Sequence, residues 1–404
     1  MKNILVIGGG YAGVWSAAGA VRTARENGIP ESELQVTLVS GGDDLIVRPR
    51  LYEADPEKMR VSLDRILGPI GVHRVAATVT GIDTENRSVT AIGRDGQPSV
   101  LTYDRLVLAT GSRLIRPDFP GAEAMFNVDT LPAATAFDNH LRRLPEMTPR
   151  AGRFTAVVVG AGMVGIEVVT EIGSRLKAAA AAAGSTDEVR VILVERADVL
   201  SPELGAGPRP HIASALESLG VEQRLNRTVE FVTENEVRLS DGEVIPTATA
   251  VWTAGMTASP LTAQIPAERD RLGRLHVDEF LRVVGVPDVY AAGDTAAAAA
   301  EEGNTVLQSC QHAQPLGRFA GHNVAAGLFD VDQVVFSPVD PYGTVLDLGP
   351  AGAMVCQGWD RQVAMTGQDA KGVKVAINTQ MIYPPVDDAV ALLKQADYRY
   401  SPMA

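Results

Sequence analysis

Gly8, Gly10 and Gly13 stand in the run VIGGGYAGVW, and Gly160, Gly162 and Gly165 in VVVGAGMVGIE. Both runs spell G-x-G-x-x-G. The first glycine permits a tight turn from strand to helix, and the second lets a pyrophosphate approach the main chain. The third lets helix and strand pack closely. A helix opening at such a turn offers free N–H groups and a partial positive charge to phosphate oxygens. One copy is a weak sign of a dinucleotide, and two in matching context are a strong one. Tyr11 and Ala12 fall inside the first binding turn, Met163 and Val164 inside the second.

An acidic residue closing the next strand normally holds the adenosine ribose. Glu195 in VRVILVE takes that place in the second copy. Its carboxylate would repel a 2′-phosphate, which favours NADH, although Arg196 beside it keeps NADPH open. In the first copy the place falls to Ser40, whose hydroxyl could reach a ribose. Asp43 could substitute, or Ser40 is a plain loop residue.

The chain has two cysteines, Cys310 and Cys356, and neither has a CxxC partner. Zinc and dithiol chemistry therefore have little support, and a reducing, cytoplasmic setting fits. His73 and His276 show no ligand spacing, so no metal site is expected.

Positioning these residues takes two similar units. Residues 3–7 read as a buried parallel strand, AGVWSAAGAVRTAREN as a helix stopped by Gly28 and Pro30, and LQVTLVS as the next strand. From 72 to 109 short alternating strands suggest an antiparallel meander ending in DRLVLATGS. The strand-turn-helix pattern returns at FTAVVVGAGMVGIEVVTEIGSRL. It is followed by VRVILVE, a hairpin set in EFVTENEVRLSDGEVIP, and TATAVWTAG. Thr110 and Gly111 in ATG match Gly255 in TAG at corresponding strand ends. The tail from about 331 reads as scattered strands and one short helix near VDDAVALLKQAD. The expected fold class is α/β. Two Rossmann-like (three-layer ββα) dinucleotide-binding domains are expected, the second inserted in the first, with a small C-terminal α+β domain. The expected boundaries are 1–118 with 255–330 for FAD, 119–254 for NAD(P)H, and 331–404 for the tail.

IGGGYAG, LATGS, VGAGMVGIE, WTAG and VYAAGD occur in this order across roughly residues 1–330. In that combination the sequence resembles the two-dinucleotide-binding-domain flavoproteins, the pyridine nucleotide-disulfide oxidoreductase superfamily. No cysteine precedes Cys310, so the disulfide reductases and sulfide:quinone reductases of that superfamily do not fit. The nearest likeness is to type II NADH dehydrogenases and apoptosis-inducing-factor-like quinone reductases. The resemblance implies FAD on the first turn, with Gly293 and Asp294 at its ribityl or pyrophosphate region, and NAD(P)H on the second. For Asp294 a helix N-cap is the alternative.

The resemblance also implies that Glu167 lies near the nicotinamide; otherwise it is an ordinary first-turn helix acid. IVRPRLYEA resembles the stretch passing the flavin ring. There Arg48 and Arg50 could stabilise reduced flavin or phosphate, or simply lie on the surface. LQSCQHAQPLGRFAGHNVA resembles the segment at the flavin and the quinone entrance, with Cys310, Gln311 and Ala313 in family positions. His312 could exchange a proton there or be structural, and Cys310 reads as a small buried thiol. The family's second glutamine falls on Pro315, which weakens a quinone site of the usual kind. A helix starting near Pro315 would still aim N–H groups at the flavin.

Net charge is −13, which argues against nucleic acid or anionic lipid as partners. No run of about 18 apolar residues exists. The stretch PPVDDAVALLKQAD looks weak for lipid, so membrane association is expected to be weak or absent. Monomer and homodimer both stay open. The expected activity passes hydride from NADH to flavin N5, then two electrons to a quinone-like or other small aromatic acceptor. The alternative is a soluble FAD-dependent dehydrogenase or oxidase of a pathway metabolite, with a vestigial nucleotide site.

Overall fold

The computed structural model describes residues 1–338 and 342–401. Its larger sheet runs in the order Arg282–Val283, Val286–Ala291, Arg105–Leu108, Lys2–Ile7, Leu34–Ser40, His73–Asp83, Ser88–Gly93, Pro98–Thr102. The five strands from Val286–Ala291 to His73–Asp83 are parallel. Only three of the strands read as a meander are antiparallel to one another. Arg105–Leu108 leaves them and pairs with Lys2–Ile7. Its Leu106, Val107 and Leu108 are fully buried, as a central parallel strand requires.

Helix Tyr11–Glu26 follows the first strand and crosses helix Cys310–Ala326 closely. A Cβ on Gly317 would lie 2.5 Å from the Ala12 carbonyl oxygen, and one on Gly321 would lie 2.3 Å from that of Ser16. The crossing therefore brings the N-terminus of the second helix to the first glycine turn. That second helix does not start near Pro315. Ser309 caps it by accepting from the His312 N–H, and Pro315 lies inside it. A proline this early forfeits a single backbone bond, and the cap outweighs it.

The inserted unit has a four-stranded parallel sheet, Val221–Arg224, Arg190–Val194, Thr155–Val159, Thr249–Trp252. A three-stranded antiparallel sheet of residues 229–246 covers one face. Ser112–Leu114 and Met256–Ala258 pair antiparallel where the chain passes between the halves. There the Ile115 N–H donates to the Gly255 carbonyl. The fold is thus two Rossmann-like domains, the second inserted in the first.

The tail holds an antiparallel sheet, Gly343–Asp347, Ala353–Gln357, Gln362–Thr366. It has more helix than the one expected near residue 389. Gly367–Ala376 is a helix that runs on as a π turn over Ile377–Met381, and Ala389–Gln395 is the short one. Gly372 and the valines around it mask that helix in the sequence, since both residue types have low helix propensity. No helix among the described residues is long and apolar enough to cross a membrane.

Candidate active site

At the first turn Gly8 has φ +119°, and a Cβ there would lie 2.2 Å from the Ala109 carbonyl oxygen. A Cβ on Gly13 would lie 1.9 Å from the Gly8 carbonyl oxygen. Both glycines are fixed by backbone packing. Gly10 is different, because a Cβ there would meet nothing within 4 Å. Gly293, at φ +67°, sits against Ala12, with Ala313 behind it. Thr110 Oγ1 and Tyr11 Oη are buried with no hydrogen-bond partner among the described residues. An open glycine at a helix N-terminus, with orphan hydroxyls on the adjoining Tyr11 and on Thr110, fits a dinucleotide. Ser40 Oγ abuts the turn, 2.7 Å from where a Cβ on Gly9 would be. Asp43 is committed elsewhere, to Arg74 at 2.6 Å and to Arg94, and those arginines hold its pKa below the usual carboxylate range.

Asp294 accepts from Ser112 Oγ at 2.6 Å and caps no backbone N–H. Burial pushes its pKa up, against the pull of Ser112 and Arg48. Arg48 donates to Ser112 Oγ at 2.9 Å, approaches Asp294 at 3.7 Å and pairs with Asp129. Arg50 is occupied as well: it grips Glu53 at 2.6 and 3.0 Å and donates to Tyr383 Oη at 3.0 Å. Gly111 turns at φ +68° just ahead of Ser112.

The second turn repeats the first in backbone. Gly160 has φ +106°, and a Cβ on Gly165 would lie 1.8 Å from the Gly160 carbonyl oxygen. Glu195 is buried and accepts the Ala161 N–H at 2.8 Å and the Ala197 N–H at 2.9 Å. Its carboxylate is thereby fixed beside the turn. The space over Gly162 is taken: a Cβ there would lie 2.5 Å from Oε1 of Glu203. That oxygen accepts the Met163 N–H at 3.1 Å. Val164, next along, is exposed.

Glu167, one turn into that helix, is buried and paired with Lys374 at 2.8 Å. Its Oε1 also accepts the Asp347 N–H at 3.1 Å. Burial pushes its pKa up, although Lys374 pulls the other way. Burial likewise opposes charge on Lys374, but Glu167 beside it more than offsets that and holds the ammonium. Asp347 accepts from Tyr52 Oη at 3.0 Å and from Lys371 Nζ at 2.5 Å. Lys374, Lys371, Asp347 and Tyr52 were not among the residues expected at the site. The sequence signal that existed was the i, i+3 spacing of Lys371 and Lys374.

Gln311, with its amide turned so that both ends are satisfied, donates to the Gly343 carbonyl at 2.5 Å. His312 is fully buried and stacks on Tyr342, ring centroids 5.2 Å apart. Its Nδ1 accepts the Leu307 N–H at 3.2 Å. Burial pushes its pKa down to about 4, so it is neutral at pH 7. Cys310 is half-buried, and burial pushes its thiol pKa up. No group of acidic, histidine or cysteine side chains among the described residues could hold a metal ion.

Fold and site together define a two-cradle oxidoreductase of the flavin and pyridine-nucleotide type. Residues 2–317 match the family described as pyridine nucleotide-disulphide oxidoreductase, and the chain belongs to it. It is 44% identical over 404 residues to a NADH dehydrogenase-like protein of Mycobacterium tuberculosis, with 100% of both chains covered. It is 27% identical to a demethylphylloquinone reductase of Synechocystis sp., covering 87% of this chain and 86% of that one. Among solved structures, NDH2 from Plasmodium falciparum in complex with NADH has a TM-score of 0.76 at 13% identity. The match covers 98% of this chain and 96% of that one.

Proposed function

We propose that this protein is an FAD-dependent NAD(P)H:acceptor oxidoreductase that uses NADH and reduces a quinone-like or other small aromatic acceptor. The observation that carries the reading is the buried group Tyr52, Asp347, Glu167 and Lys374. It draws the loop beside the first cradle, the helix of the second and the tail into one centre. Flavin, when bound, supplies hydride acceptance at N5 and two-electron transfer onward.

The chain's own residues do the rest. Gly10 and the N–H groups of the first turn bind one pyrophosphate, and Gly162 with Met163 and Val164 binds the other. Glu195 takes the ribose of the nicotinamide nucleotide. Asp294, held by Ser112 and Arg48, orients the flavin's polar side chain. Glu167 and Lys374 hold a proton between Oε1 and Nζ, where a reduced acceptor can take it. His312 stays neutral and packs the helix that carries Gln311. The reading includes a cytoplasmic location with little or no membrane attachment, which cell fractionation tests.

Stopped-flow mixing of the purified yellow protein with NADH should bleach the flavin, and quinone should restore it. Flavin that does not bleach sinks the proposal. Lys374→Met should destabilise the fold by about 3–5 kcal/mol in urea, because it strands a buried carboxylate. The double variant with Glu167→Gln should recover most of that loss. A second reading, a dehydrogenase of a pathway metabolite with a vestigial nucleotide site, is favoured by Glu203 over Gly162. It predicts flavin that no nicotinamide nucleotide reduces.

A further inference from the structure

Glu203 lies in a short turn, Pro202–Leu204, eight residues past the ribose acid Glu195. Its backbone is held by its neighbours. Leu200 and Leu204 are buried on either side, and Arg209 donates to the Leu200 carbonyl at 2.8 Å. The turn is entered through Ser201 at φ +48°, unusual for a residue with a side chain, and left through Gly205 at φ +82°. Ser201 is fully buried, and its Oγ has no partner among the described residues. This conformation is therefore costly, by both its backbone and its orphan hydroxyl.

The buried flanks Leu200 and Leu204 hold the turn in this shape, and its tip carries Glu203. Glu203 itself is exposed, yet its carboxylate reaches the N-terminus of helix Met163–Ala182 and accepts the Met163 N–H. It lies directly over Gly162. Gly162 is the glycine whose missing side chain gives a pyrophosphate its approach. The carboxylate thus satisfies a donor, and meets a helix dipole, that a phosphate oxygen would otherwise take. At the first cradle the matching glycine, Gly10, has no such neighbour.

We infer that Glu203 is an internal phosphate mimic that sets the affinity of the second cradle: it holds the pyrophosphate position and is displaced when a nicotinamide nucleotide binds. The inference rests on the proposed nucleotide role of that cradle. Two negative groups do not share one N–H at contact distance, so binding has to break the Glu203 contact and turn the side chain outward. The orphan Ser201 hydroxyl and the left-handed backbone lower the cost of letting the turn relax. The device acts on the diphosphate, the part common to every nicotinamide dinucleotide. It therefore tunes affinity without choosing between NADH and NADPH.

The test is calorimetric titration of the flavin-loaded protein with ADP-ribose, which carries the diphosphate and no nicotinamide. Glu203→Ala should tighten ADP-ribose binding about tenfold. Glu203→Gln keeps the shape without the charge and should tighten it about threefold. Adenosine, which has no phosphate, should bind all three proteins alike. Glu203 is exposed, so neither variant should disturb folding, and unchanged melting curves check this. Equal ADP-ribose affinity in all three proteins, or weaker binding by the variants, overturns the inference and leaves the nucleotide site standing. ADP-ribose binding by none of them, together with flavin that NADH fails to bleach, overturns both.

Discussion

The two glycine turns are near copies in backbone and opposites in what surrounds them. Gly8 and Gly160 turn at φ +119° and +106°. In each copy a Cβ on the third glycine would run into the carbonyl of the first. The middle glycines part company: Gly10 faces open space, and Gly162 faces Glu203. The strand that follows ends in Ser40 in one half and in the other runs out into a buried, doubly bonded Glu195. Backbone geometry makes a cradle, and a few side chains decide how tightly it holds and what it prefers. A first cradle with open approach suits a ligand that stays. A second with a carboxylate in place suits one that comes and goes.

The sharpest way to break this comparison is at the third glycines. Gly13→Val and Gly165→Val each push a side chain into a carbonyl oxygen and should cost about 3 kcal/mol or more in urea unfolding. They should differ in consequence. Gly13→Val should purify without yellow colour, and Gly165→Val should keep its flavin and lose bleaching by NADH. The same ligand lost from both would mean that the halves do not divide the work.

The next effect is in pH. Two histidines lie in different halves: His312, fully buried beside the first cradle, and His140, half-buried in the inserted unit. Burial pushes both pKa values down to about 4. The unfolded chain takes up protons at about 6.5 and the folded one does not until near 4, so stability falls as pH drops through that window. Each histidine should contribute at most about 3 kcal/mol to the loss. Urea midpoints from pH 7 to 4.5 should flatten in part for His312→Phe and for His140→Phe, each in its own half. Flattening by only one would show that acid opens one half first.

Smaller effects probe the ligand-facing side chains. Glu195→Gln should weaken NADH about tenfold, and the penalty against NADPH should shrink. Ser40→Ala should change flavin retention by less than about 0.5 kcal/mol. Gly10→Ala should leave urea stability nearly unchanged and loosen the flavin. A Ser40→Ala loss as large as that of Glu195→Gln would mean that the first cradle relies on its strand-end side chain after all.

Legibility in the sequence followed the same division. The turns could be read because a tight strand-to-helix bend and a close backbone contact admit only glycine, and both requirements lie within a few residues. The parallel strands showed themselves as short apolar runs. Arg105–Leu108 looked like the end of a meander because its neighbours in sequence are antiparallel, and only the sheet shows that it pairs with Lys2–Ile7. The start of the helix carrying Gln311 was missed because Pro315 resembles a first-turn proline, while Ser309 three residues before His312 is the actual cap. Lys374 was harder still to find. Its i, i+3 spacing from Lys371 marks a shared helix face and no partner, and Glu167 lies 207 residues away in the chain. Glu203 was invisible for a similar reason, since its meaning depends on the turn at Ser201 and on where that turn aims it.

The Glu167–Lys374 pair has a bearing on how the protein matures. The cation comes from the tail, on an element synthesised long after the helix that carries the acid. A nascent chain stopped short of residue 343 has both glycine turns, but its Glu167 lacks the tail groups that cover and neutralise it. The buried group of Tyr52, Asp347, Glu167 and Lys374 is therefore completed only when the last sixty residues or so have been made.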